Sequence, residues 1–179
     1  NVVQVHLAGE LPDGANYIVM EFLDGLSLQS VLAAAGGTPL PLERTIHIAV
    51  QLCDAVGEAH AQGVVHRDLK PENVMLIQRS GDANFVKVLD FGIARMRASE
   101  LSVSPAAGLI FGTARYISPE GAQGEKVTPA SDVYSLAVVF YQLLTGKTPF
   151  EAEQPIALLL QHIHEPPPPL RAPKGRSIP

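Results

Sequence analysis

The segment VVHRDLKPENVML, residues 64–76, sets Arg67, Asp68, Lys70 and Glu72 around a proline between two apolar runs. Charges gathered that densely beside buried chain are costly unless they hold partners or perform a task. The apolar runs read as short strands and the charged residues as the loop between them. Asp68 can take a proton from an attacking hydroxyl, which is general-base work. Lys70, two residues on, projects to the same side of an extended loop and can neutralise a phosphate in transfer. Asn73 offers a carbonyl oxygen, a hard ligand suited to magnesium. A second oxygen ligand is needed, and Asp90 supplies it at the end of the run FVKVLD, just before the turn glycine of DFG. A base, a cation and two oxygen ligands together describe phosphoryl transfer, in which positioning and charge neutralisation do most of the work. The bland alternative is a solvated turn with incidental charges.

Composition allows such a site and excludes others. The 179 residues suffice for a sizeable core in one or two domains. With 46% apolar and 17% charged residues the chain is that of a globular protein, not a disordered one. A net charge of −5 leaves no basic stripe for a nucleic-acid backbone. The single cysteine, Cys53, rules out an internal disulfide framework and fits a reducing compartment. No secretion leader is visible at the N-terminus, and the longest apolar run, VYSLAVVFYQLL, is broken by Ser135 and Gln142 and too short for a bilayer. It reads as a buried core helix, and the expected location is cytoplasmic, with a membrane anchor left open for a longer protein.

Along the chain, VVQVH and NYIVMEF read as a hairpin over residues 1–23, closed by Asp24 and Gly25. A short helix follows through LSLQSVLAAA until Gly36 and Gly37. From Leu42 to Gln62 the apolar residues Ile46, Ala49, Val50, Cys53, Val56 and Ala59 recur at helical spacing, and Gly63 stands where a helix ends. On that face Cys53 is expected to be inert core. Small strands are expected in VVH, VMLI and VKVLDFG, with SGDAN as a turn. Residues 93–120 have weak periodicity and many small side chains, and long loops of this kind are usually functional. A nearly all-apolar helix covers about residues 130–145, and PIALLLQHIH is a further amphipathic helix, with His162 and His164 on different faces. The tail PPPPLRAPKGRSIP reads as a stiff connector, an adaptor-domain ligand being the less favoured use.

HRDLKPEN (66–73), DFG (90–92) and GTARYISPE (112–120), in that order, resemble the catalytic loop, magnesium loop and activation-segment end of the eukaryotic-like protein kinases. SDVYSLAVVFYQLLTGKTPF resembles the large buried helix of their C-lobe, and its wording is closest to bacterial serine/threonine kinases. The resemblance implies an α+β, two-lobed kinase fold, here a truncated one. It divides the chain into a residual N-lobe β hairpin (1–23, hinge at 20–25), a mostly helical C-lobe (26–165, activation segment 90–120) and the tail 166–179. It implies that Asp68 orients the substrate hydroxyl, that Lys70 sits near the γ-phosphate, and that Asn73 and Asp90 hold Mg2+. Met20 falls at the gatekeeper position, Glu21 and Leu23 would present backbone to the adenine of ATP, and Met75 would cover its other face. Met20 and Met75 are equally readable as core filler. Phe91, His66 and Val5 would belong to a hydrophobic stack between the lobes. Thr113 would hydrogen-bond to Asp68 and Lys70, and Asp132 would hold the catalytic-loop backbone, a role compatible with capping its own helix.

Lys70 two residues after the base, with Gly112 and Thr113 before SPE, resembles serine/threonine kinases, and Glu72 stands where tyrosine kinases carry an arginine. The expected partner is a protein with a serine or threonine acceptor, and self-association for autophosphorylation is a further option. Arg67 and Arg95 would pair with a phosphate on the activation loop, for which Ser102 and Ser104 are the candidate acceptors, with Ser99 behind them. The chain has no glycine-rich G-x-G-x-x-G loop and no lysine before Lys70. It therefore reads as an internal fragment of a kinase domain, expected to be weak or inactive alone while the complete protein transfers phosphate. The alternative is a non-catalytic kinase-like binding module. The regulatory reading has a direct check: mass spectrometry of the active protein is expected to find phosphate on the 99–104 serines, and an active protein without it there would overturn the assignment.

Overall fold

A computed structural model describes residues 1–91 and 113–170. The chain opens with a main-chain tie. Val3 N–H donates to Val88 O at 2.9 Å and Val88 N–H to Asn1 O at 2.7 Å, so residues 1–3 run parallel to a later strand. Strands β1 (Val5–Glu10) and β2 (Asn16–Met20) then form an antiparallel hairpin, with an irregularity between Val5 and Leu7. Its first strand, expected over VVQVH, starts only at Val5 because residues 1–3 pair with Val88 instead. Its turn is closed by the Asp13 carboxylate, which accepts from Ala15 N–H at 3.0 Å. The second strand was expected to run on to Asp24 and Gly25. It stops at Met20 instead, and Gly25 begins a new strand, β3 (Gly25–Ser27). The glycine is needed there because a Cβ on it would stand 2.2 Å from Leu76 O of the neighbouring strand.

β3 is one edge of a second, antiparallel sheet ordered β3–β4–β5, with β4 at Val74–Arg79 and β5 at Asp82–Val88. The β4–β5 connection is only Ser80 and Gly81, at φ +49° and +88°, two left-handed residues of the kind whose twist suits a tight hairpin. The turn expected over SGDAN is thus shorter, and Asp82, Ala83 and Asn84 belong to the sheet. The strand expected at residues 64–66 does not form. Its backbone is committed elsewhere: Val64 N–H donates to Ala59 O, and His66 N–H to a side chain on a distant helix.

The helical body contains α1 (Leu28–Ala34), α2 (Leu42–Ala61), α3 (Pro119–Ala122), α4 (Pro129–Thr145) and α5 (Pro155–His164) among the described residues. Ser27 caps α1 by accepting from Ser30 N–H at 3.1 Å. α2 has the expected extent but a different buried face: Thr45, Ile48, Leu52, Ala55 and Val56 point inward, while Ile46 and Val50 are more than half exposed. Cys53 is exposed too, which corrects its reading as inert core. Apolar residues occur on both sides of this helix, so periodicity set the period and left the phase open.

Helix α4 carries Leu136, Val138, Val139 and Leu143 into one cluster with Leu28, Ile48, Leu52, Leu69, Val86 and Val88, joining α1, α2 and the three-stranded sheet. A capping box of Thr128 and Ser131 starts it, and Gly146 at φ +85° ends it. A smaller cluster of Ala114, Phe150 and Leu158 packs under α5. Beside it His162 is buried, its Nδ1 2.8 Å from the Tyr134 hydroxyl and its ring 5.0 Å from Phe150, while His164 is exposed. Burial drives the His162 pKa down to about 4 and lifts the Tyr134 phenol to about 12.

Two measurements follow. Gly146→Ala adds a Cβ that would lie 1.9 Å from Gly37 O, so it is expected to lower stability by well over the roughly 1–2 kcal/mol of left-handed strain alone. Gly63→Ala, at φ +74° with open space around it, is expected to cost only that strain in urea unfolding. Second, His162 binds its proton more weakly folded than unfolded, so its contribution is present above the unfolded value of 6.5 and lost as pH falls through about 4. The loss amounts to about 3 kcal/mol, and His162→Gln is expected to flatten that part of the stability profile between pH 7 and pH 4.

Candidate active site

The charged segment is built around one buried carboxylate. Asp132, in the first turn of α4 and 1% exposed, accepts from Arg67 N–H through Oδ1 and from His66 N–H through Oδ2, both at 2.8 Å. Its Oδ2 is also 2.8 Å from His60 Nε2 on α2. Two main-chain donors held by one side chain let Arg67 take φ +74°, a left-handed conformation unusual for a residue with a side chain. The backbone reverses there and presents the next residues to one side.

His66 supports the same turn from within. It is fully buried; its Nε2–H donates to Leu89 O at 2.8 Å, and its Nδ1 faces Asp68 N–H at 3.3 Å. Burial holds its pKa below the usual imidazole value, so the ring stays neutral with the proton on Nε2. Phe91 packs edge-on against it, ring centres 4.7 Å apart. Val5, expected as a third member of this stack, is 53% exposed on β1 and adds nothing to it.

Asp68, Lys70 and Asn73 converge. Lys70 Nζ lies 2.7 Å from Asp68 Oδ2. Asn73, at the end of the 3-10 turn Pro71–Asn73, sends Nδ2–H to Asp68 O at 2.8 Å and to Asp68 Oδ2 at 3.3 Å. With its amide nitrogen so engaged, Asn73 keeps its carbonyl oxygen as the atom for an oxygen-seeking cation. The main chain ties this turn to the strand end: Leu89 N–H donates to Asn73 O at 2.9 Å, which brings Asp90 alongside. Asp90 itself sits at φ +60°, the third such non-glycine residue with Arg67 and Ser80 among the described residues.

Other expected residues fall less tightly. Met20, Glu21 and Leu23 are half-buried in and after β2, and Met75 is half-buried on β4, opposite Lys87 in the sheet register. Thr113 opens the 3-10 turn Thr113–Tyr116, and its side chain lies outside the described residues, as do Ser99, Ser102, Ser104 and Arg95. Beyond that turn, Ser118 caps α3, and the Ser131 hydroxyl donates to Glu120 Oε1, which holds the Glu120 carboxyl below its ordinary range. Tyr116 donates to Gln142 Oε1 at 2.7 Å, and burial raises its phenol pKa. A cavity of about 120 Å³ lies between Asp68, Leu69 and Tyr116, Ile117, Ser118. It is smaller than the roughly 300 Å³ at which small-molecule sites begin.

Sequence reasoning missed Lys87, whose Nζ meets Glu21 Oε1 at 2.6 Å, and the link of Asn1 to Gln51 at 3.0 Å. The first was detectable: a lysine between Val86 and Val88 in an apolar strand needs a partner. Replacing Asp132 by alanine leaves two buried N–H groups without an acceptor. It is expected to destabilise the protein by about 3 kcal/mol or more, measured by urea unfolding, while Asp132→Asn is expected to keep part of that loss back through its amide oxygen.

The protein kinase domain family model matches residues 1–171. Over 153 residues the chain is 48% identical to the serine/threonine-protein kinase Pkn1 of Myxococcus xanthus, covering 86% of this chain and 21% of that protein. It is 42% identical over 182 residues to the serine/threonine-protein kinase PknB of Mycobacterium leprae, covering 99% of this chain and 28% of that one. A third relative, pkn3 of Myxococcus xanthus, is 42% identical over 175 residues, 96% of this chain and 31% of its own. The chain thus spans between about a fifth and a third of the length of these relatives. With the α+β architecture and the converging polar loop, these matches mean that the chain belongs to the protein kinase domain family.

Proposed function

We propose that the protein bearing this chain is a protein serine/threonine kinase, moving the γ-phosphoryl group of ATP to a serine or threonine hydroxyl of a protein. The observation that carries this reading is the convergence of Asp68, Lys70 and Asn73, with Asp90 tied alongside through Leu89 and Asn73. Asp68 accepts the hydrogen bond of the acceptor hydroxyl and takes its proton as the new oxygen–phosphorus bond forms and the bond to the ADP oxygen breaks. Lys70, already beside Asp68, supplies positive charge to the phosphoryl oxygens in transfer.

The residues present fit a magnesium ion by their donor chemistry. Asn73 keeps a carbonyl oxygen and Asp90 a carboxylate, both hard ligands, and magnesium sites typically take only one or two protein oxygens beside substrate phosphates. When bound, the ion neutralises phosphate charge and orients the transferring group. Met20, Glu21, Leu23 and Met75 would line the base of the nucleotide. Arg67, with Arg95, would receive an activation-loop phosphate on Ser102 or Ser104.

Serine and threonine are favoured over tyrosine because Lys70 follows the base by two residues and Glu72 stands where an arginine would serve tyrosine. A binding module would have no chemical use for all four polar side chains held this way. In the full-length protein, Asp68→Asn is expected to reduce phosphate transfer to a protein acceptor by roughly 10²–10⁴-fold at unchanged Tm. Transfer that survives the substitution, or product phosphorylated on tyrosine, would overturn the reading.

A further inference from the structure

Lys87 lies in β5 at 9% exposure, between Val86 and Val88, both fully buried. An ammonium in that position needs partners, and Nζ finds Glu21 Oε1 at 2.6 Å and Val2 O at 3.1 Å. The same Glu21 oxygen accepts from Gln4 N–H at 2.8 Å, and Glu21 N–H donates back to Gln4 O at 2.9 Å. Lys87, Glu21 and residues 2–4 therefore close a ring of hydrogen bonds where the β1–β2 hairpin meets the three-stranded sheet.

The position of that ring matters more than its strength. Glu21 follows the last residue of β2 and opens the segment 21–24 that leads to β3. Lys87 faces Met75 across the β4–β5 register and precedes Asp90 by three residues. The pair thus spans the segment assigned to the nucleotide base, the strand assigned to its floor, and the strand that delivers the metal-ligand aspartate. The other ties from the start of the chain to the body hold a different point: Asn1 and Val3 bond to Val86 and Val88, and Asn1 also to Gln51, all upstream of β1. Without Lys87 the anchor at residues 1–3 and the main-chain bond of Glu21 to Gln4 remain, but the Glu21 side chain loses its link to β5 where β2 passes into the segment 21–24. The hydrogen bond from Lys87 also holds the Glu21 carboxyl below its usual range.

We propose that Lys87 is a positioning residue for the nucleotide: through Glu21 it ties the start of the segment 21–24 to β5 and so sets the affinity for ATP without touching the reacting atoms. The proposal rests on the kinase reading above. Its test uses the full-length protein with Lys87→Met, Glu21→Gln and the conservative Lys87→Arg. Lys87→Met is expected to raise the KM for ATP about tenfold, with kcat and the KM for the protein acceptor held within about twofold, and Glu21→Gln is expected to raise the KM for ATP by a similar factor. Lys87→Arg, which keeps a charged donor, is expected to recover most of that change. Amide hydrogen exchange of residues 21–24 is expected to quicken in Lys87→Met while that of Val86 and Val88 does not. An unchanged KM for ATP, a loss spread equally over kcat and both KM values, or exchange at 21–24 no faster than wild type would overturn it. Should the wild-type protein transfer no phosphate, the kinase reading fails by itself, and the exchange measurement still decides whether Lys87 holds this segment.

Discussion

The carboxylate of Asp132 is the point from which the site is organised. Its two oxygens take the main-chain N–H groups of His66 and Arg67 and face the ring nitrogen of His60, all at 2.8 Å. A buried anion is expensive unless its hydrogen bonds are complete. Here it also sits in the first turn of α4, where the unpaired amides of the helix favour negative charge. Because α4 runs through the main core by Leu136, Val139 and Leu143, the loop that it holds is fixed to that core. Arg67 can then remain left-handed, and Asp68, Lys70 and Asn73 emerge on the same side.

The second half of the site arrives on β5. His66 joins the two: its backbone belongs to the loop that Asp132 holds, while its ring bonds Leu89 O and packs against Phe91. The Leu89-to-Asn73 hydrogen bond closes the connection. Residues next to one another in function are here held by neighbours that do no chemistry. This is the usual way to hold polar side chains at a fixed geometry.

Much of the secondary structure was legible because it rests on local signals. The α4 boundary at Gly146, the end of α1 just before Gly36 and Gly37 and the existence of the first hairpin, though not the start of its first strand, followed from glycine positions and β-rich composition. The failures share a cause. At α2 apolar residues on two sides of the helix left the buried face undecided, and Ile48 and Leu52 prevailed over Ile46, Val50 and Cys53. Residues 64–66 look like a strand by composition, but a strand needs a neighbour with free backbone groups, and the N–H of His66 is already given to Asp132. Val5 matched a packed position by motif but stands exposed on its hairpin.

By itself the sequence determined the family, the identity of the chemical groups and their order along the chain, since the charge-dense loop, DFG and SPE have no other economical explanation. Asp68, Asn73 and Asp90 are the residues the sequence singles out, because each stands in a motif whose residue types chemistry restricts. Only the tertiary structure decided which of these groups meet, by closing Asp132 onto a loop 65 residues away and Leu89 onto Asn73. It also decided that Lys87 would reach Glu21, 66 residues distant, rather than solvent. Contacts of that range depend on how helices and sheets pack, and a linear pattern of residues carries the cost of a buried charge without saying which partner relieves it.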